Sequence, residues 1–135
     1  MNDNNNDSLR QQLVVLNERS RWYSAELWQV PFAYLGLTGI AIAQIVTEEK
    51  AHVYFPYVCM LSVLFGIFVL IHMCRVRDLE QKAVKKLKTV EDKLGFEKEE
   101  GAESGEGWHI LQFAVLFFVV IYFILALSYW CKHAA

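Results

Sequence analysis

"LNERSRWYSAELWQVPFAYLGLTGIAIAQIV" (residues 16–46) starts as a charged helix and ends as a segment that water rejects, with Trp22, Glu26, Trp28 and Pro31 at the changeover. No ionised side chain follows Glu26 as far as Val46, and about 20 residues rising 1.5 Å each cross the hydrocarbon of a bilayer. Two further runs share this character: residues 54–73 ("YFPYVCMLSVLFGIFVLIHM") and 110–130 ("ILQFAVLFFVVIYFILALSYW"), both without Lys, Arg, Asp or Glu. Each is too long and continuous for a buried soluble strand. Hydrophobic residues make up 55% of the chain and charged residues 21%, the latter confined to what lies outside these runs. Such segregation predicts an all-α integral membrane protein with three transmembrane helices and two cytoplasmic amphipathic extensions. The opening "MNDNNNDSLRQQ" lacks the basic n-region of a cleaved signal peptide, so the mature chain is expected to start at Met1.

Orientation follows from Lys and Arg outside the spans. Their counts run 3 before the first span, 1 in the link "TEEKAHV", 8 after the second span and 1 in the tail. The positive-inside rule therefore expects the N-terminus in the cytoplasm and the C-terminus outside. Trp22, Trp28 and Trp108 suit the inner interface, and Tyr54, Tyr57, Tyr129 and Trp130 the outer one.

The expected organisation is a disordered start (1–7), an amphipathic cytoplasmic helix (8–29), a first span (30–47) and a second span (54–73). That span continues as a cytoplasmic helix (74–95), then an acidic Gly-rich loop (96–109), a third span (110–130) and a tail (131–135). Leu9, Leu13, Leu16, Ser20, Tyr23, Leu27 and Val30 recur at alternating spacings of 4 and 3 and put one seam along the first helix. Asp7 or Ser8 suits its N-cap. Pro31 removes a backbone donor and predicts a kink or junction at residues 28–30. On the second polar helix, Val76, Leu79, Ala83, Leu87, Val90 and Leu94 form the cytoplasmic seam, at the helical mean of about 3.6 residues. Gly95 stands where a left-handed cap belongs. The two seams suit packing on each other, within or between subunits, or on a protein partner.

Lys82, Lys85, Lys86 and Lys88 invite nucleic acid or anionic lipid. Yet residues 75–94 carry 7 basic and 4 acidic side chains, and residues 96–107 carry five acids against one lysine. The charges nearly cancel, so no nucleic-acid partner is expected. No phosphate-binding loop, HExxH, CxxC or GxSxG occurs, so neither catalytic nor cofactor-binding residues are assigned. His52 and His133 sit near the outer membrane boundary and His72 and His109 near the inner one, too few per side for a structural zinc, and no metal is expected. Cys59, Cys74 and Cys131 are expected as thiols, with a Cys59–Cys131 pairing left open.

Within the spans, Gly36, Gly39, Ala43 and Gly66 are candidates for helix packing, because small residues let backbones approach. These pair the first two spans and leave the third as the lipid-facing one. Thr38, Gln44 and Ser62 are the candidates for pore lining or interhelical polar contacts. No ionisable group lies at a span's centre, and three helices cannot enclose a pathway alone, so conduction requires a ring of subunits. In length and number of spans the chain is similar to small phage holins, although its orientation and long cytoplasmic helix depart from them. A membrane segment continuing into a cytoplasmic amphipathic helix resembles small membrane effectors of prokaryotic defence systems. Both likenesses concern architecture alone. The expectation is a non-enzymatic, homo-oligomeric membrane protein that forms pores or perturbs the bilayer. The alternative is a non-conducting anchor or regulatory subunit presenting its cytoplasmic helices to a protein partner.

Overall fold

The computed structural model describes residues 3–47, 53–95 and 106–134. It is all-helical: α1 runs Asp3–Thr47, α2 Phe55–Leu94 and α3 Glu106–Ala134. All three are long and apolar enough to cross a membrane. The link 48–52 and residues 96–105 of the acidic segment lie outside the described residues.

α1 begins at Asp3, ahead of the cap expected at Asp7 or Ser8. Extending a helix that already exists adds one hydrogen bond per residue and meets only the small propensity penalty of Asn and Asp. Nor does Pro31 end the helix, which continues through it. Pro31 is fully buried between Leu27 and Tyr34 on the same face, so packing on α2 and α3 holds the turn that lost its donor. Pro56 sits in the first turn of α2, where its missing N–H is harmless. Gly95 closes that helix at φ 72°, as the left-handed cap read from the sequence requires, and its N–H reaches the Asp92 carbonyl at 3.3 Å.

The core lies where α1 and α3 converge on α2. Leu27 and Tyr34 come from α1, Cys59, Val63, Val69, Met73 and Val76 from α2, and Leu111, Val115, Val119, Tyr122 and Ala126 from α3. Gly66 marks the closest approach. A Cβ placed there would collide with the Val119 side chain and stand 2.5 Å from the Tyr34 hydroxyl. The small residues of α1 do something else: Gly36, Gly39 and Ala43 are exposed, and a Cβ at Gly36 or Gly39 meets nothing. The expected α1–α2 pairing is present without them. α3 is not purely outward-facing either, because Leu111, Val115, Val119, Tyr122 and Ala126 form a buried stripe. Opposite that stripe, Phe113, Phe117 and Ile124 remain exposed.

Beyond the apolar bundle, α1 and α2 continue side by side as a charged two-helix stalk. Val76, Ala83 and Val90 are buried, and Leu87 and Leu94 half-buried. Leu79 departs from the expected seam at 38% exposed, while Glu80 is buried at 5%. The buried line thus runs 76, 80, 83, 87, 90, 94, facing the half-buried Leu9, Leu13, Leu16, Ser20 and Tyr23 of α1. Placing a carboxylate on it by Val90→Asp should destabilise the stalk by about 2 kcal/mol or more, whereas Lys85→Glu on the exposed side should stay within about 0.5 kcal/mol. Thermal unfolding in detergent compares the two directly.

Candidate functional site: a polar seam through the bundle

Polar side chains form a ladder along the inside of the helices. At the base of the stalk, the Glu80 carboxylate accepts hydrogen bonds from Ser24 Oγ at 2.6 Å and from Arg77 Nη1 at 2.9 Å. The Arg77 guanidinium also lies over the Trp108 ring, 5.8 Å from its centroid, so one buried acid ties together all three helices. Its burial is tolerable because both oxygens are engaged by groups that cannot easily turn to water. Two turns further into the apolar region, His72 Nε2 stands 3.0 Å from Glu26 Oε1, and on another flank Gln112 Nε2 donates to Cys74 Sγ at 3.5 Å.

The second set lies mid-bundle. Tyr34 Oη donates to the Ser62 carbonyl at 3.1 Å, and Tyr122 Oη donates to Thr38 Oγ1 at 3.2 Å. The Thr38 hydroxyl in turn donates to the Tyr34 carbonyl at 2.8 Å, and Ser62 Oγ to the Val58 carbonyl at 2.8 Å. Where water is absent, every such group needs an internal partner, and these have one. Thr38 and Ser62 are thus buried within the protomer: the Thr38 hydroxyl meets α3 through Tyr122, whereas the Ser62 hydroxyl donates within α2 and its carbonyl receives Tyr34 of α1. Gln44 is different, exposed near the end of α1. An open, mainly apolar groove of about 340 Å³ separates α1 from α2, lined by Leu37, Ala41, Val58, Leu61 and Phe65 together with Thr38 and Ser62.

Tyr34 and Tyr122 escaped the sequence reading, as did the roles of Ser24, Glu26, Arg77 and Glu80. The available signal was a phenol in mid-span, whose hydroxyl must find an acceptor in hydrocarbon. Arg77 and Glu80 stand three apart on α2, a spacing visible in the sequence, whereas Ser24 with Glu80 and Glu26 with His72 meet only through the fold.

Among the described residues, no three His, Cys, Asp or Glu side chains gather as a metal site. Cys59 is buried, and Cys74 and Cys131 are exposed. No protein-family model matches the chain, and the comparisons with curated proteins and with solved structures found no match.

Proposed function

We propose that this is a non-enzymatic, homo-oligomeric protein that crosses the membrane three times and holds a two-helix stalk in the cytoplasm for a protein partner, as an anchor or regulatory subunit. The observation that carries it is the polar seam. Ser24, Arg77 and Glu80 lock the stalk to the bundle, while Thr38 and Ser62 spend their hydroxyls inside the protomer and so favour a solid support over a wall of a conduit. The chain's own orientation is read from its charges: N-terminus and stalk inside, C-terminus outside. A maleimide that cannot cross the membrane should label the exposed Cys131 in intact cells and leave Cys74 unlabelled until the cells are opened. The opposite pattern reverses the assignment.

A pore-forming or membrane-perturbing assembly is the second reading, favoured by Gln44, an uncharged polar side chain exposed in the apolar half of α1. In that case several copies surround the pathway, and Gln44→Asp should turn a quiet liposome preparation into one leaking cations. An anchor gives no leak with either side chain, although its detergent-corrected mass remains that of an oligomer.

A further inference from the structure

We infer that the acidic segment 96–105 is seated on the stalk of its own chain, along the side of α2 that prolongs the α2–α3 contact, with Lys85 and Lys88 holding its carboxylates. Such seating is independent of whether the stalk serves an anchor or a pore. Any partner then meets the stalk with one side already taken.

The helices fix both ends of the segment. The first turns of α3 lie against α2 at Arg77, whose guanidinium covers Trp108, and at Cys74, whose sulfur accepts from Gln112. Gly95 stands 18 residues beyond Arg77, which is five whole turns, so it emerges on that same side of α2 and about 27 Å further along. Glu106, two residues ahead of Trp108, recovers only about 3 Å of this. About 24 Å therefore separates the two ends, to be covered in 11 residue steps. A helix of that many residues reaches about 16 Å and a relaxed coil about 17–20 Å, whereas an extended chain reaches about 36–40 Å. The segment has to be drawn out along the length of the stalk. The opposite flank of α2, with Arg75, Lys82, Lys86 and Lys93, is more basic. Crossing to it and back round a helix about 10 Å wide takes the path to about 40 Å, the limit of the extended chain.

The charges agree along that path. Between Arg77 and Gly95, α2 turns Gln81, Val84, Lys85, Lys88, Glu91 and Asp92 to this side, Val84 and Glu91 half-buried and the others exposed, with Asp78 at the outer edge of its base. The segment carries Glu97, Glu99, Glu100 and Glu103 against Lys98. Spread evenly over the gap at about 2.2 Å per residue, Lys98 comes level with Glu91 and Asp92, the two acids near the tip. Glu99 and Glu100 then come level with Lys88, and Glu103 falls within a turn of Lys85. Glu97 alone falls beside an acid, Asp92. The Ser24–Glu80 hydrogen bond sets the register of α1 against α2, and it brings Arg10 to the level of Glu97 and Arg21 to that of Glu103. Both arginines are exposed on the flank of α1 away from the Glu26–His72 pair, which marks the side of the stalk opposite α3. Each exposed pair is weak alone, but a segment tethered at both ends meets its partners at high effective concentration.

The test uses the full chain in membranes with Cys74→Ser and Cys131→Ser, carrying Val84→Cys and Ala102→Cys, which share one level and leave every charge in place. Mild oxidation should join the two thiols within one chain, read as tryptic fragments from either side of Lys93 that part only on reduction. Lys86→Cys with Ala102→Cys, on the far flank of α2, should join at least fivefold more slowly. Two co-expressed copies carrying one of the cysteines each should not be joined. Adding Lys85→Glu and Lys88→Glu to the Val84→Cys, Ala102→Cys chain should slow the joining about twofold to tenfold at low salt, and further adding Glu100→Lys and Glu103→Lys should restore it. Restoration shows that the reversed chain still folds. Equal rates at positions 84 and 86, joining only between copies, or a rate indifferent to these charges overturns the seating.

Discussion

Gly66→Leu is expected to prevent the bundle from forming. The first added carbon already meets Val119 and stands 2.5 Å from the hydroxyl of Tyr34, groups that belong to different helices. Overpacking a closed site usually costs about 1–3 kcal/mol, and more where the backbone must separate. Here α1 and α3 must both retreat from α2, and the Tyr34–Ser62 hydrogen bond is lost with them. Gly39→Leu is the matched control, since a side chain there enters open space and leaves the protomer's fold intact. Thermal unfolding in detergent should show no cooperative transition for the Gly66 variant and an ordinary one for the Gly39 variant. Equal behaviour would mean that the helices do not converge at Gly66.

Arg77→Met should be the second severe change. It strips the buried Glu80 of its cationic partner, and such an orphaned acid typically costs about 3–5 kcal/mol. The Trp108 ring loses the guanidinium that covers it at the same time. Adding Glu80→Leu should recover most of the loss, because a pair of apolar side chains of similar size removes the charge that had to be paired. The double-mutant cycle then shows strong coupling between the two positions. Independent effects of the two substitutions would remove Glu80 from its place as the joint of the three helices.

The three helices could be read from the apolar runs, because about 20 residues without an ion allow few other structures. The side of each helix that faces its neighbours was less legible. In the stalk, a 3.6-residue repeat starting at Val76 allows either position 79 or position 80, and hydropathy alone selects Leu79. The fold selects Glu80, since Arg77 one turn earlier and Ser24 on α1 supply what the carboxylate needs, and an apolarity profile registers neither. On α3 nearly every residue is apolar, so the stripe from Leu111 to Ala126 is hidden among equals. The small-residue spacing on α1 was visible, but such a pattern says that a backbone can be approached and is silent about which helix approaches. Gly66 and Gly39 look alike in sequence and lie in opposite surroundings. Thr38 and Ser62 stand out in the sequence as polar groups in apolar company, and both are buried. Their partners, Tyr34 and Tyr122, look like two more rings in aromatic-rich spans until the helices are brought together.

α2 runs without a break from Phe55 to Leu94, over 40 residues. In the membrane arrangement proposed above, a rod of that kind is a lever whose fulcrum lies at the bilayer surface. Its stalk portion reaches about 30 Å beyond the apolar zone, so each 10° or so of added tilt swings the tip by roughly 5 Å. Helices adjust their tilt to the thickness of the hydrocarbon they cross. In that arrangement, locally thinned or thickened lipid would be translated into a sideways displacement of Leu94, carried by the unbroken helix itself.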